Sequence, residues 1–361
     1  MQGIISLFES GLGLPELWAF VIGVVVFSLL IFLFIALFVI VAVWLERKVS
    51  AVIQDRWGPM RAGLTIQGEL QTIADTVKLL MKEDIIPKPV DKLLFILAPF
   101  IVFTATFMVF AGIPLGPNAY SGTFDLGLFY LIAISSLGVI GIVMAGWASN
   151  NKWSLYGAMR SVAQIVSYEI PIALILIAVV MYSGSFSVKE IIATQDTGYG
   201  IFGWFLFRNP FMFVAAILFL IAGTAENNRT PFDLPESESE LIAGFHTEYT
   251  GMRFAFFFLA EYANMFVVGV LLAILFLGGY APIWHVAALA DIPVLGWFFG
   301  SSGFWIILKA MLVVIIQMWF RWTFPRLRVD QLMYTAWKVL IPFTMAIIVL
   351  NGIWMKLFNL I

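Results

Sequence analysis

Eight apolar stretches, at about 17–45, 93–113, 126–148, 165–182, 210–225, 254–278, 303–321 and 338–357, run through this chain of 361 residues. Most of them approach the roughly 20 consecutive apolar residues that an α-helix needs to cross a hydrocarbon core. Lipid offers no partner to a backbone N–H or C=O, so only helices and closed barrels span it, and long unbroken runs select helices. Hydrophobic residues make up 62% of the chain, charged residues 12%, and mean hydropathy is +0.99. Those values place the bilayer as the main solvent. The expected fold is an all-α polytopic membrane protein, one membrane domain over 1–361 with about eight transmembrane helices, those at 165–182 and 210–225 being the shortest.

Net charge is −2, but its distribution says more than its sum. If alternate connections share one side of the membrane, that side receives every Lys and Arg of the 20 except Lys189, Arg208, Lys356 and the intramembrane Lys309. The positive-inside rule then puts the charged connections on the cytoplasmic face and both termini outside, on the periplasmic or intermembrane face. With no cysteine and only His246 and His285 as histidines, the chain cannot ligate an Fe–S cluster, and bis-histidine haem or zinc sites are disfavoured. Redox centres, if the function needs them, belong to other chains. No cleavable signal and no internal repeat is evident, which argues against an inverted-repeat transporter.

The first span is read as ending at Glu46-Arg47-Lys48, an interfacial anchor. After the turn-rich Gln54-Asp55-Arg56-Trp57-Gly58-Pro59, apolar residues Ile66, Leu70, Ile73, Val77, Leu80 and Met81 recur three or four apart. That period predicts an amphipathic helix over about 64–82, too polar to span and suited to the membrane interface, where it would brace the bundle or leave a gap admitting a membrane-borne molecule. The segment from Ala148 to Gln164 reads as a connecting loop. Glu169 and Glu261 each interrupt an apolar helix, at a cost of at least about 2.5 kcal/mol per charge at depth, which marks both as functional candidates. For Lys309, pairing with an acid is expected. The connection near 279–302 reads as an interfacial lid.

Residues 226–250 form an acidic loop. Six carboxylates, Glu226, Asp233, Glu236, Glu238, Glu240 and Glu248, crowd around Arg229, and Pro231 and Pro235 favour a shaped turn. Carboxylates a few ångströms apart cannot all ionise, so the set is expected to titrate in coupled steps and to hold or pass protons. An acidic docking surface for a basic partner fits the same charge run.

Residues Glu226 to Leu241, continuing through Gly244-Phe245 and Glu248-Tyr249, resemble the quinone-chamber membrane subunits of respiratory complex I, the proton-pumping NADH:quinone oxidoreductase. Glu46-Arg47-Lys48, Arg56-Trp57-Gly58-Pro59, Lys82-Glu83-Asp84, Ser167-Tyr168-Glu169 and Ala260-Glu261-Tyr262 match in the same order, while Met60 departs from the family's usual asparagine. The resemblance implies a translocase subunit without its own redox centre, in a bacterial inner membrane, or in the mitochondrial inner membrane if mitochondrially encoded. It implies a quinone tunnel, for ubiquinone or menaquinone, near Arg47, Arg56, Asp75 and Phe232. It further implies an acidic relay through Glu169, Glu226, Arg229, Asp233, Glu236, Glu238, Glu240, Glu248 and Glu261. NADH, FMN and Fe–S clusters would sit in partner subunits, with hydrophilic quinone-site chains and antiporter-like membrane chains as neighbours. Two rivals remain: the membrane anchor of an energy-converting hydrogenase, which delivers no quinone, and an autonomous ion antiporter, which should show repeats.

Overall fold

The computed structural model describes residues 15–63, 67–117, 124–235, 238–284 and 300–358, together with Ile5 and Phe298. The described residues contain helices and no strand. We number the main helices α1 Glu16–Ile53, α2 Gln71–Met81, α3 Lys92–Gly112, α4 Gly127–Ala148, α5 Lys152–Ser183, α6 Pro210–Glu226, α7 Gly251–Phe276, α8 Gly303–Thr323 and α9 Val329–Leu357. Seven of them are long and apolar enough to cross a membrane, and α6, at 17 residues, is a shorter apolar helix in the place expected for the fifth span.

Several boundaries move, each for a local reason. Helix α1 does not stop at Glu46 but continues to Ile53. Ile35, Phe38, Val39, Ala42 and Glu46 are all buried, so the charged triplet carries on the helix's own packing stripe. Helix α5 begins at Lys152, absorbing most of the expected loop before Gln164; Asn151 caps it by accepting from the Trp153 N–H at 3.0 Å. It runs unbroken through Pro171. The amphipathic helix α2 is shorter than expected, and Leu64, Thr65 and Ile66 lie outside the described residues. Its Ile73, Val77, Leu80 and Met81 face outward, exposed on this chain. Most of the expected lid near 279–302, including His285, also lies outside the described residues.

The centre of the bundle is α7. From Met265 to Phe276 nearly every residue is buried, the signature of a helix packed on all sides. It is flanked by α3, α6 and α8, while α4 packs on α3 and α5, and α5 on α6 and α9. The α7–α8 approach depends on Gly269: a Cβ there would sit 2.8 Å from the Ala310 carbonyl. Helix α9 contains a π-helical turn, Thr335–Leu340, beside which Trp337 donates to Ser167 Oγ (3.2 Å) and the Tyr168 hydroxyl to the Leu332 carbonyl (3.1 Å).

Lys309 donates its hydrogen bonds to backbone. Its ammonium is buried and donates to the carbonyls of Leu277, Gly279 and Ala281 at 2.6, 2.9 and 2.7 Å, with the Trp204 ring 4.2 Å away. The carbonyls at and just past the end of α7 lie at the negative end of its dipole, so a cation is stabilised there, and the charge of Asp196 adds to the attraction.

Candidate functional site

At the end of α6 the chain turns sharply. Asn228 adopts a left-handed conformation (φ 52°), which asparagine tolerates better than most residues, and donates from Nδ2 to Ser161 Oγ at 3.0 Å. Gln164 of α5 clamps both sides of the turn, its amide N–H groups reaching the carbonyls of Ala225 (2.7 Å) and Phe232 (2.8 Å). This geometry directs Arg229 inward, away from the loop acids that neighbour it in sequence.

Arg229 is 3% exposed and bridges two helices. Nη1 lies 3.0 Å from Glu46 Oε2 of α1, Nε lies 2.7 Å from Glu261 Oε1 of α7, and the guanidinium stacks 4.2 Å from the Tyr262 ring. Tyr262 donates its hydroxyl to Glu46 Oε2 at 2.6 Å, and Arg321 of α8 closes on Glu46 Oε1. Burial works against the charge on Arg229, but Glu261 and Glu46 outweigh it and raise the group well above its ordinary range. Two carboxylates and two guanidiniums thus form a neutral, largely buried, hydrogen-bonded set. Removal of its central arginine would strand a charge at a cost of about 3–5 kcal/mol.

Glu261 also faces a cavity of about 340 Å³ between α3, α4, α5, α6 and α7. Glu169 of α5 and Glu226 at the end of α6 line it, with Asn227, Asn228, Asn264 and His246. The other walls are apolar, including Val102, Leu131 and Ile142. Burial pushes the His246 imidazole down to about 4, with Glu261 and Asp233 opposing the shift, so at neutral pH it stands uncharged beside the acids.

Three of the described loop acids have partners outside the loop. Asp233 meets Arg326 from the α8–α9 connection at 3.4 Å, Glu240 meets Arg160 of α5 at 2.6 Å, and Glu248 accepts from Asn151 at 2.7 Å. Each of these three thus meets a base or an amide from another part of the chain, and Arg326 also attracts Glu240. The hydrogen bond from Arg160 holds the Glu240 carboxyl below its usual range. Glu236 lies outside the described residues; Glu238 opens a short helix, Glu238–Leu241. Of the positions tied to a quinone tunnel by resemblance, Arg47 and Asp75 pair at 2.6 Å between α1 and α2, and exposed Arg56 donates to Gln54 at 2.7 Å. Phe232 is buried with its ring 5.6 Å from that of Tyr168. None of these four lines the acidic cavity.

A family model described as NADH dehydrogenase matches residues 26–352, which include all these groups. The NADH-quinone oxidoreductase H subunit of Chlorobaculum parvum is 49% identical over 349 residues, covering 95% of each chain. The proteins of the same name from Chlorobaculum tepidum and Chlorobium luteolum are 48% and 49% identical, covering 93% and 95% of this chain and 93% and 91% of their own. The chain belongs to the NADH dehydrogenase family. Within this NADH dehydrogenase family chain, sequence reading singled out Arg229 and Glu261 but read Glu46 as part of an interfacial anchor. One signal for Glu46 was available: it extends the buried i, i+4 stripe of α1 by one turn past Ala42.

Proposed function

We propose that this chain is the membrane subunit of a proton-pumping NADH:quinone oxidoreductase, forming the quinone access chamber and the acidic relay that couples quinone reduction to proton translocation. The observation that carries the reading is the buried Glu46–Arg229–Glu261 bridge. It joins α1, whose Arg47 pairs with Asp75 of the interfacial helix, to the cavity lined by Glu169 and Glu226.

In this reading a quinone enters beside α2, near Arg47, Arg56, Asp75 and Phe232, and its headgroup is reduced at the junction with hydrophilic partner subunits. Those partners hold NADH, FMN and the Fe–S clusters, and the loop end of the bundle faces them on the cytoplasmic side of a bacterial inner membrane. Reduction to quinol draws two protons towards the headgroup. Charge relocated beside a buried neutral set changes the proton affinity of its members, each unit of pKa corresponding to about 1.4 kcal/mol. Arg229 then redistributes between Glu46 and Glu261, and Glu261 passes the change to Glu226 and Glu169. Asp233, Glu236, Glu238, Glu240 and Glu248 hold the loop in register and extend the relay towards antiporter-like membrane partners.

Photo-crosslinking with an azido-quinone in native membranes tests the chamber. Labelling within about 46–82 or 226–250, competed by excess quinone, is expected; labelling confined to other subunits would favour a hydrogenase-type anchor. For the relay, Glu169→Gln should retain assembly and quinone reduction while losing proton translocation, measured as the proton-to-electron ratio in inverted vesicles. Full pumping in that variant would remove Glu169 from the path.

A further inference from the structure

Of the residues of α2 only Thr72 is buried, so the packing of its own side chains does little to fix this helix and its place depends on how its two ends are held. Near its start, Asp75 pairs with Arg47 of α1 at 2.6 Å. Its other end meets the start of α7. Thr250 occupies the position just before the first turn of α7, where a threonine hydroxyl ordinarily accepts a free N–H of its own helix. It makes no such bond. Its Oγ1 instead accepts from the Ile85 N–H at 3.1 Å and donates to the Glu83 carbonyl at 3.3 Å. Beside it, Arg253 Nη2 meets Asp84 Oδ2 at 2.9 Å, and the guanidinium lies 5.6 Å from the ring of Phe95 on α3, itself stacked on Tyr249 at 4.1 Å. Gly251 (φ 56°) lets the two backbones approach: a Cβ there would sit 3.2 Å from the Lys82 carbonyl oxygen and 3.7 Å from that of Leu79. Carbonyls from the negative end of α2 thus lie beside the positive start of α7.

We propose that Thr250 is a positioning residue for quinone entry: its hydroxyl, diverted from capping its own helix, pins the tail of α2 and so fixes the opening beside that helix. The proposal rests on the chamber reading above. Thr250 acts through α2 and is assigned no contact with quinone. A hydroxyl is suited to the task because it is donor and acceptor at once, so a single oxygen holds both the N–H and the C=O of one short segment and sets its register. The neighbouring Asp84–Arg253 pair is a weaker restraint, since Asp84 is 46% exposed and solvent screens the attraction. Loss of the hydroxyl therefore frees the tail of α2 and leaves α7 in place, because from Met265 to Phe276 that helix is buried on nearly every side.

Two variants of the purified membrane complex test this. Thr250→Val keeps the branched shape and removes the hydroxyl; Thr250→Ser keeps the hydroxyl. Amide exchange over 79–85 and steady-state reduction of a decyl-tailed quinone are measured on each. In Thr250→Val the exchange is expected to rise about tenfold, as for one lost hydrogen bond, and KM for the quinone to rise about threefold or more with kcat unchanged. Thr250→Ser should keep the natural values of all three. Exchange that stays at its natural rate in Thr250→Val, a fall in kcat with KM unchanged, or a Thr250→Ser complex that behaves like Thr250→Val each overturns the proposal. Residue-resolved exchange in the natural complex needs no variant to assemble: the Ile85 N–H should exchange about tenfold more slowly than those of Glu83 and Asp84, and equal rates also overturn it. If 79–85 loosens in Thr250→Val while KM holds, the positioning role fails and the chamber reading, tested by cross-linking, stands. Failure of the natural complex to cross-link quinone removes the chamber reading and the proposal with it, whatever the exchange shows.

Discussion

Two cations on one helix are satisfied in opposite ways. Arg321 and Lys309 lie on α8 about 18 Å apart at 1.5 Å per residue. Arg321, at the loop end, shares the Glu46 carboxylate with Arg229 and Tyr262. Lys309, at the far end, donates to three backbone carbonyls beside an indole ring, with the charge of Asp196 adding to the attraction. A cation held by carboxylates has partners that can themselves titrate. A cation held by the end of a helix has fixed acceptors that do not titrate. The first arrangement suits charge transfer, and the second suits a permanent seal on α7.

Breaking the first should do most damage. Arg229→Met leaves Glu261 without its cation and Glu46 with Arg321 alone, and is expected to destabilise the protein by about 3–5 kcal/mol, read as a lowered melting temperature in detergent. Lys309→Met removes three charge-assisted hydrogen bonds but leaves carbonyls rather than a buried charge. A loss of stability is expected, with the proton-to-electron ratio unchanged. If Lys309→Met altered that ratio, the distinction between charge transfer and seal would fail.

A third test probes the loop end by pH. The folded-state value for His246, about 4, lies below its ordinary 6.5, so its contribution to stability is fully present above pH 6.5 and is lost as pH falls towards 4. Amide exchange in 244–250 should therefore accelerate across that window in the natural protein, and His246→Phe, whose ring suits the edges of Phe245 and Phe254, should flatten the response. An identical pH response in the variant would assign the effect to the acids. The smallest effect is expected from Arg47→Gln. Its pair with Asp75 is 41% and 32% exposed, and loss of such a pair costs under about 1 kcal/mol, so a change in quinone cross-linking there without a change in melting temperature would mark a binding role.

Apolar runs are read reliably because lipid leaves the backbone no alternative to helix, and their number and order needed no tertiary information. Lone intramembrane acids are equally legible: Glu169 and Glu261 stand out because their cost demands a use. Boundaries were less so, since Glu46 looks like the end of an apolar run until α1 is seen packing through it. The acidic loop misled in another way. Its residues are adjacent in sequence, yet a turn at Asn228 sends Arg229 inward, and Arg160, Arg326 and Asn151, distant in sequence, meet Glu240, Asp233 and Glu248. The amino-acid sequence by itself thus determined the solvent, the helices and the residues costly enough to matter. Only the tertiary structure decided which charges meet, because a buried ion pair depends on close contact across helices, and side chains separated by 183 positions, as Glu46 and Arg229 are, carry no local signal of that contact.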